Sequence, residues 1–443
     1  MDKTIEKIVS LCKRRGFIFQ SSDIYGGFSA IYDYGPLGIE LKNNISQLWW
    51  KEMTQAHENI VGLDSGILMH PKIWEASGHV GAFNDPLVDC KQCKARYRAD
   101  EFSEDFSSLN WEETQCPKCG TKGNLTEPRQ FNLMFKTHIG PLEEEASVAY
   151  LRPETAQGIY VNYLLTQNAM RLKVPFGIAQ IGKAFRNEIV ARNFIFRTRE
   201  FEQMEMQYFV KPGNDDQCMV DWKEERMDFY NQLGINPKKL RLHEHGDREL
   251  AHYAKEAWDI EFEFPFGWSE IEGIHNRTDF DLARHQEFSG KKMEVFDQVN
   301  NDRFLPYIIE TSAGLNRMML AVLSDAYWED EENNRVVMKL HPRIAPVTAV
   351  ICPLVKKDGL PELGREVMDI LKPHFKVIYD QQGSIGKRYY RQDEAGTPFG
   401  ITLDHQSIED NTITVRHRDS QQQDRLEIDK LVTFINNCIE NYI

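Results

Sequence analysis

Apolar and polar positions along the chain repeat with two distinct periods, and the changes of period mark its elements. Over residues 4–15, Ile5, Ile8, Val9 and Cys12 recur at helical spacing, and Arg14, Arg15 and Gly16 are C-terminal helix signals, so the first element is a short amphipathic helix. A Gly-, Tyr- and Asp-rich stretch over 21–38 leads into a second helix predicted over about 39–53. Residues 154–173 read as a third, because Ile159, Tyr163 and Leu164 share a face with Met170. Residues 176–182 then turn to strand period, an Arg-rich bend occupies 189–198, and 199–210 form a second strand. Its alternation is unusual. Phe201, Gln203, Glu205, Gln207 and Phe209 share one face, and Glu202, Met204, Met206 and Tyr208 share the other. A polar face in mid-strand is either a solvated sheet surface or the floor of a ligand site.

Two prolines, Pro342 and Pro346, mark a boundary. Beyond it, strands near 347–351, 377–379, 399–403 and 412–416 and helices near 360–371 and 428–441 compose a compact α/β unit of about 100 residues. The predicted organisation is a first domain over 1–345, with an insertion at about 88–125, and a second over 346–443. The fold class is α+β: an antiparallel sheet flanked by helices, followed by a mixed α/β domain. The insertion is rich in Lys, Asp, Glu and Cys, and we expect it to be held by something other than its own core.

Composition narrows the classes. The chain has 443 residues, 41% of them hydrophobic, with a formal charge of -15. That is enough apolar chain to offset its entropy, so global disorder is excluded. The longest apolar stretch, about nine residues, is far short of the roughly 20 that span a bilayer. Net acidity argues against nonspecific coating of nucleic acid and leaves room for a local basic patch. No secretory signal is visible, and two CxxC pairs among eight cysteines favour metal or redox chemistry over disulfides, so a reducing cytoplasm is expected. Cys90, Cys93, Cys116 and Cys119 fit a four-cysteine zinc ribbon, with a structural role because four thiolates leave no open position.

Two segments carry candidate chemistry. Arg186 and Glu188 end the first strand on one face, and residues 192–201 add Arg192, Arg197 and Arg199 among Phe194, Phe196 and Phe201. Arg forks hold phosphate oxygens and a ring accepts a purine face, so this hairpin suits a nucleotide without a glycine-rich loop. The null is a surface ion pair. Glu310, Thr311, Ser312, Ala313, Gly314, Leu315, Asn316 and Arg317 join a strand end to a helix start. A cation in a first helical turn opposes the dipole unless an anion compensates, and a phosphate would do so.

These segments resemble the three motifs of the class II aminoacyl-tRNA synthetases, in order: Tyr25-Gly26-Gly27-Phe28 through Tyr34-Gly35-Pro36-Leu37-Gly38 with its helix, Phe185-Arg186-Asn187-Glu188 through Glu205, and Gly314–Arg317. Leu151-Arg152-Pro153-Glu154-Thr155-Ala156-Gln157-Gly158 and the run Phe196-Arg197-Thr198-Arg199-Glu200-Phe201-Glu202-Gln203-Met204-Glu205 make the homodimeric, glycine-specific branch the best match, over nearly the whole chain. The resemblance implies a class II catalytic domain, a C-terminal anticodon-binding domain, and ATP-dependent attachment of glycine to tRNA through an adenylate. Prolyl, threonyl or seryl specificity, or a noncatalytic tRNA-binding relative, are the alternatives.

It further implies roles. Arg186, Glu188 and Arg317 would be catalytic, holding the α-phosphate, the adenine amino group and the γ-phosphate. Asn187, Phe196, Arg197, Thr198, Arg199, Glu200, Phe201, Glu270, Ile271, Gly314, Leu315 and Asn316 would complete the ATP site, with Phe201 under the base. Glu270 and Glu310 would hold Mg²⁺. Glycine would meet Arg98 at its carboxylate and an acidic pocket drawn from Glu154, Glu205 and Glu310, with Ser312 as wall and Phe201, Glu202, Gln203, Met204, Thr311, Ala313 and Gly314 around it. No editing domain is expected, because volume excludes larger side chains. The chain departs from the family in having Glu310-Thr311-Ser312 where Glu-Pro-Ser is common, and the zinc rests on cysteine spacing rather than on the family.

His138-Ile139-Gly140-Pro141 and Gly383-Ser384-Ile385-Gly386-Lys387 are decoys for the class I signature and the P-loop. Lys387, Arg388, Arg391, Arg416 and Arg418 are the expected basic surface for tRNA. A homodimer is expected from the first motif, and neither membrane nor DNA is expected as a partner.

Overall fold

The computed structural model describes residues 3–103, 105–141, 147–190, 193–246, 250, 254–297 and 300–442. Helix α1 (Lys3–Arg15) buries Ile5, Ile8, Leu11 and Cys12, as its period predicts. Helix α2 (Pro36–Gln55) starts three residues earlier than its apolar pattern, with Pro at its first position. Gly38 permits that start, because a Cβ there would lie 1.8 Å from the Phe17 carbonyl oxygen. Strand β1 (Ile60–Gly62) follows.

Strands β2 (Asn84–Asp89), β3 (Arg96–Arg98) and β4 (Arg129–Asn132) form a small sheet of order β3-β2-β4. Contrary to expectation, the insertion has a core of its own, built from Val88, Ala99, Trp111, Leu125 and the sulfurs of Cys90 and Cys116. Six buried residues are too few to stabilise such a unit without a further tie.

The longer elements of the first domain that follow are α3 (Ala156–Met170), β5 (Phe176–Phe185), β6 (Glu200–Val210), α4 (Asp215–Gln232), β7 (Leu240–Glu244), β8 (Glu256–Phe264), β9 (Gly267–Thr278), α5 (Phe280–Ser289), β10 (Tyr307–Gly314) and α6 (Leu315–Ala326). Seven strands make one sheet of order β7-β8-β9-β10-β6-β5-β1, antiparallel except for the β1–β5 pair. Its core face carries Met204, Met206, Ile274, Ile309 and Ala313 against α1, α2, α4 and α6. On the other face α3 packs Ile159, Tyr160 and Tyr163 over Phe176, Ile178 and Phe209. The polar face of β6 is therefore roofed rather than solvated: Glu205 and Gln207 are buried.

A bulge shapes this face. Ile260 pairs with Glu272 and Glu261 with Glu270, which leaves Ile271 as the extra residue and turns Glu270 to the side that bears Gly273 and His275.

A hairpin, β11 (Tyr327–Asp330) and β12 (Arg335–Met338), leads to the second sheet. That sheet contains β13 (Ala349–Pro353), β14 (Val377–Tyr379), β15 (Phe399–Leu403), β16 (Thr412–His417) and β17 (Gln423–Glu427), in order β14-β13-β15-β16-β17. Helices α7 (Leu360–Leu371), α8 (Ile385–Ala395) and α9 (Leu431–Glu440) accompany it, and α7 and α9 bury Leu360, Val367, Leu431 and Ile435 in its core. Among the described residues no helix is long and apolar enough to cross a membrane.

One ion pair is sealed on the core face of the large sheet. Arg226 Nε donates to Glu272 Oε1 at 2.7 Å, and the Tyr230 hydroxyl donates to Glu272 Oε2 at 2.7 Å, with both charged side chains fully buried. Arg226→Ala leaves Glu272 buried and unpaired, so we predict a loss of about 3–5 kcal/mol in urea unfolding. The double change Arg226→Met with Glu272→Gln should lose less.

Candidate active site

Two arginines 131 positions apart in the numbering, Arg186 and Arg317, meet at one end of the large sheet. Arg186 lies just past β5, where its N–H still bonds the Arg199 carbonyl at 2.9 Å. Its guanidinium stands 5.3 Å from the Phe201 ring and 5.4 Å from that of Phe83. Arg317 lies in the first turn of α6, 4.5 Å from the Phe196 ring. The unfavourable position of its charge against the helix dipole is offset by Glu270, whose carboxylate accepts from Nη1 at 2.8 Å. Arg317 in turn holds the Glu270 carboxyl below the usual carboxylate range. Both arginines line one cleft with Glu188, Arg197, Thr198, Gln203, Ser312 and Gly314.

The floor continues from this cleft under α3. Cross-strand register sets Glu205 opposite Ser312, Gln207 opposite Glu310, and Glu310 opposite His275. Glu310 contacts His275 Nδ1 at 2.9 Å and accepts from Gln207 Nε2 at 2.8 Å and Arg277 Nη1 at 3.2 Å. Glu205 accepts from the Thr155 hydroxyl and, at 2.7 Å, from Gln207 Nε2. Glu154 accepts from Gln157 Nε2 at 3.0 Å and stands 3.4 Å from His79 Nε2.

Burial acts to raise all three carboxyls. For Glu310 it is overcome by Arg277 and His275, which hold the group at about 2. For Glu154 it is overcome by His79 and Arg277. For Glu205 it is not overcome: burial, together with the charges of Glu310 and Glu154, outweighs the Thr155 hydrogen bond and Arg277 and pushes the group well above the usual range. Two anions beside a protonated acid make a pocket for a small cation.

Residues 135–326 match the family described as "tRNA synthetase class II core domain (G, H, P, S and T)", and residues 348–437 match the one described as "Anticodon binding domain". The chain is 60% identical to a glycine–tRNA ligase of Treponema denticola, with 99% of this chain and 98% of that protein aligned. It is 55% identical to one of Borrelia hermsii (99% and 98% covered) and 52% identical to one of Treponema pallidum (99% of each). The chain belongs to the glycine–tRNA ligase family.

Within that family's frame, several expected contacts need correction, and the reason is mostly strand alternation. Met204 and Ala313 face the apolar core, as do Ile271 and Leu315, so their side chains do not reach the pocket. Thr311 is directly opposite Met206 on that same face. Glu202 is ion-paired with Lys42 of α2 at 2.5 Å, and its N–H donates to Asn316, which ties β6 to α6 at the cleft that both residues line. Glu200 pairs with Lys183. Arg199 donates to the carbonyls of Glu188 and Ser29, and the N–H of Asn187 to that of Leu133, which brace the connecting segment. Arg197 is bonded to Glu188 at 2.7 Å. Arg98 is held by Asp85 at 3.1 Å and Asp100 at 2.6 Å, so its charge is already neutralised. Arg192 lies outside the described residues.

Glu270 and Glu310 do not form a metal pair. Glu310 faces His275, about four residue steps or ~14 Å along β9 from Glu270. Of the groups that hold the carboxylates, Gln207 lies on the polar strand face and Thr155 in the 151–158 segment, whereas His79, His275 and Arg277, with its partner Asp281, were not singled out from sequence. Only Arg277 and Asp281 carry a local signal, as an i,i+4 opposite-charge pair, here bonded at 2.8 Å.

In the C-terminal domain, Arg388, Arg416 and Arg418 are buried. Arg388 donates to the carbonyls of Gly383 and Pro353, and Arg416 is paired with Asp393 at 2.9 Å. They are internal ties, not a basic surface. Lys387 is exposed, and Arg391 is paired with Asp380 at 2.6 Å.

The four cysteines of the insertion do converge, with all Sγ atoms within 4.8 Å of one another. Tyr97 Oη lies 3.4 Å from Cys116 Sγ.

The depressed Glu310 carboxyl fixes the sign of an acid effect. A group ionised in the fold down to about 2 contributes stability that is complete above its ordinary 4.5 and is lost as pH falls through that interval. Arg277→Gln removes most of that protection, so acid unfolding followed by circular dichroism should move to higher pH. An unchanged acid midpoint would show that Arg277 does not govern Glu310.

Proposed function

We propose that the chain attaches glycine to tRNA in two steps, with ATP as the energy source. The supporting observation is that Arg186 and Arg317 open onto the same sheet face as Glu154, Glu205 and Glu310, so triphosphate clamps and an acidic pocket adjoin. Glycine's ammonium enters the pocket between Glu154 and Glu310, beside Glu205. A glycine carboxylate oxygen attacks the α-phosphorus and the bond to pyrophosphate breaks. Arg186 holds the α-phosphate oxygens, where charge builds in that step, and Phe201 lies beneath the adenine. Arg317 exchanges Glu270 for the γ-phosphate. A hydroxyl of the terminal tRNA ribose then attacks the glycyl carbonyl, and AMP leaves.

Mg²⁺ takes few protein carboxylates alongside substrate phosphates and supplies charge neutralisation there; half-exposed Glu270, freed from Arg317, suits it. The family membership supports cytoplasmic action on tRNA. The first motif supports a homodimer, as does the position of β1, which follows its helix, at the edge of the large sheet.

Amino-acid-dependent exchange of pyrophosphate into ATP tests this reading: glycine should support it and proline, threonine and serine should not. Arg186→Ala and Arg317→Ala should each lower the glycine-dependent rate about 10²–10³-fold. Exchange with another amino acid alone, or with none, overturns it.

We also infer that the insertion holds zinc. Cys90–Cys119 and Cys93–Cys116 sulfurs are each 3.7 Å apart. A tetrahedron with Zn–S bonds of about 2.3 Å has edges of about 3.8 Å, so the four atoms fit. Purified protein should contain about one zinc per chain, and a chelator should expose Trp111, read as a red shift in fluorescence. Zinc well below one per chain in reducing buffer would defeat this assignment.

A further inference from the structure

The two domains meet at a buried ionic junction. Helix α6, which begins with Arg317, runs directly into β11, and β12 opens with the buried Arg335. Arg335 Nε donates to Asp330 Oδ2 at 2.8 Å across the hairpin, which sets the plane of its guanidinium. Nη1 then crosses into the C-terminal domain and donates to Asp393 Oδ2 at 2.8 Å and the Arg418 carbonyl at 2.9 Å. Asp393, on α8, is 1% exposed and also receives Arg416 through both Nη atoms, at 2.9 and 3.1 Å. Arg418 reaches back to the Leu340 carbonyl at 2.9 Å. Gly396 closes the seam: at φ +80° it takes a left-handed turn, and a Cβ there would lie 2.6 Å from Leu340 Cδ1. A second, more exposed tie joins Arg14 and Arg15 of α1 to Glu394 of α8.

Domains that move against each other are joined by exposed, polar segments with few crossing contacts. This junction is the opposite. Charges removed from water are tolerated only while paired, and a planar guanidinium pairs in a fixed direction, so sliding the domains would strand Asp393 or Arg335. The path from Arg317 to α8 runs through α6, the β11–β12 hairpin that follows it directly, and the Arg335–Asp393 bond.

We propose that this junction is a strut that fixes the distance from the anticodon-binding domain to the active site, with Arg335 as a positioning residue for tRNA charging. A tRNA gripped at the C-terminal domain then has its acceptor end delivered to the cleft without a search over domain orientations. The proposal rests on the reading that the chain charges tRNA.

The test uses the full chain and compares wild type, Arg335→Lys and Glu394→Gln in three reactions: glycine-dependent pyrophosphate exchange, charging of full-length glycine tRNA, and charging of an acceptor-stem minihelix that lacks the anticodon arm. Arg335→Lys keeps the charge but loses the fork. It should lower kcat/KM for full-length tRNA about tenfold, with exchange and minihelix charging within about twofold of wild type. Glu394→Gln, which leaves the buried set intact, should show the same pattern more weakly. Full-length and minihelix charging falling together, or full-length charging unchanged in both variants, overturns the strut. Wild type that exchanges pyrophosphate with glycine but charges no tRNA overturns instead the reading on which it rests.

Discussion

Carboxylates crowded on a buried sheet face are the constraint around which the rest of the site is arranged. Glu154, Glu205 and Glu310 cannot all ionise in a low-dielectric pocket, and the protein resolves the conflict unequally. His79 and Arg277 favour ionised Glu154, Arg277 and His275 do the same for Glu310, and burial beside those two charges pushes Glu205 toward its neutral form. Arg277 is itself balanced by Asp281. The pocket thus favours one positive charge among its carboxyls. An ammonium with no side chain attached has little else by which to be recognised.

Two features of the sheet make this possible. Period-two alternation sends Gln203, Glu205 and Gln207 to one face while Met204 and Met206 anchor the same strand in the core, so the acidic row is carried by a rigid element. The bulge at Ile271 then turns Glu270 to that face, at the far end from His275. Phosphate chemistry and ammonium recognition are thereby separated along a single surface.

What could be read from sequence was what depends on near neighbours. Helices α1, α7 and α9, four of the five C-terminal strands and the two-faced character of β6 follow from local period, whereas β17 was not read. The errors have two sources. Motif residues taken as contiguous blocks ignored alternation: the pattern that put Glu205 on the floor already put Met204 behind it, and Ala313 behind Ser312. Burial was the other. Arg388, Arg416 and Arg418 have the composition of a basic patch, but each meets carbonyls or Asp393 contributed by residues distant in the chain. His79 and Arg277 were invisible for the same reason, since nothing beside them in sequence announces Glu154 or Glu310.

The two ends of the site also differ in stiffness. At the ammonium end the charged groups are buried and multiply bonded, so their geometry exists before substrate arrives and costs little reorganisation. At the phosphate end, the Arg317–Glu270 pair is 28% and 46% exposed. Exposed pairs contribute about 0–1 kcal/mol, whereas a triphosphate offers Arg317 more charge and a bidentate partner, so displacement of Glu270 is easy. On the proposed reading Glu270 neutralises Arg317 against the α6 dipole only while the phosphate position is open, and its release would supply a free carboxylate beside the phosphates. On that reading glycine would meet a finished pocket while the nucleotide completes its own, and the second event would have no need to disturb the first.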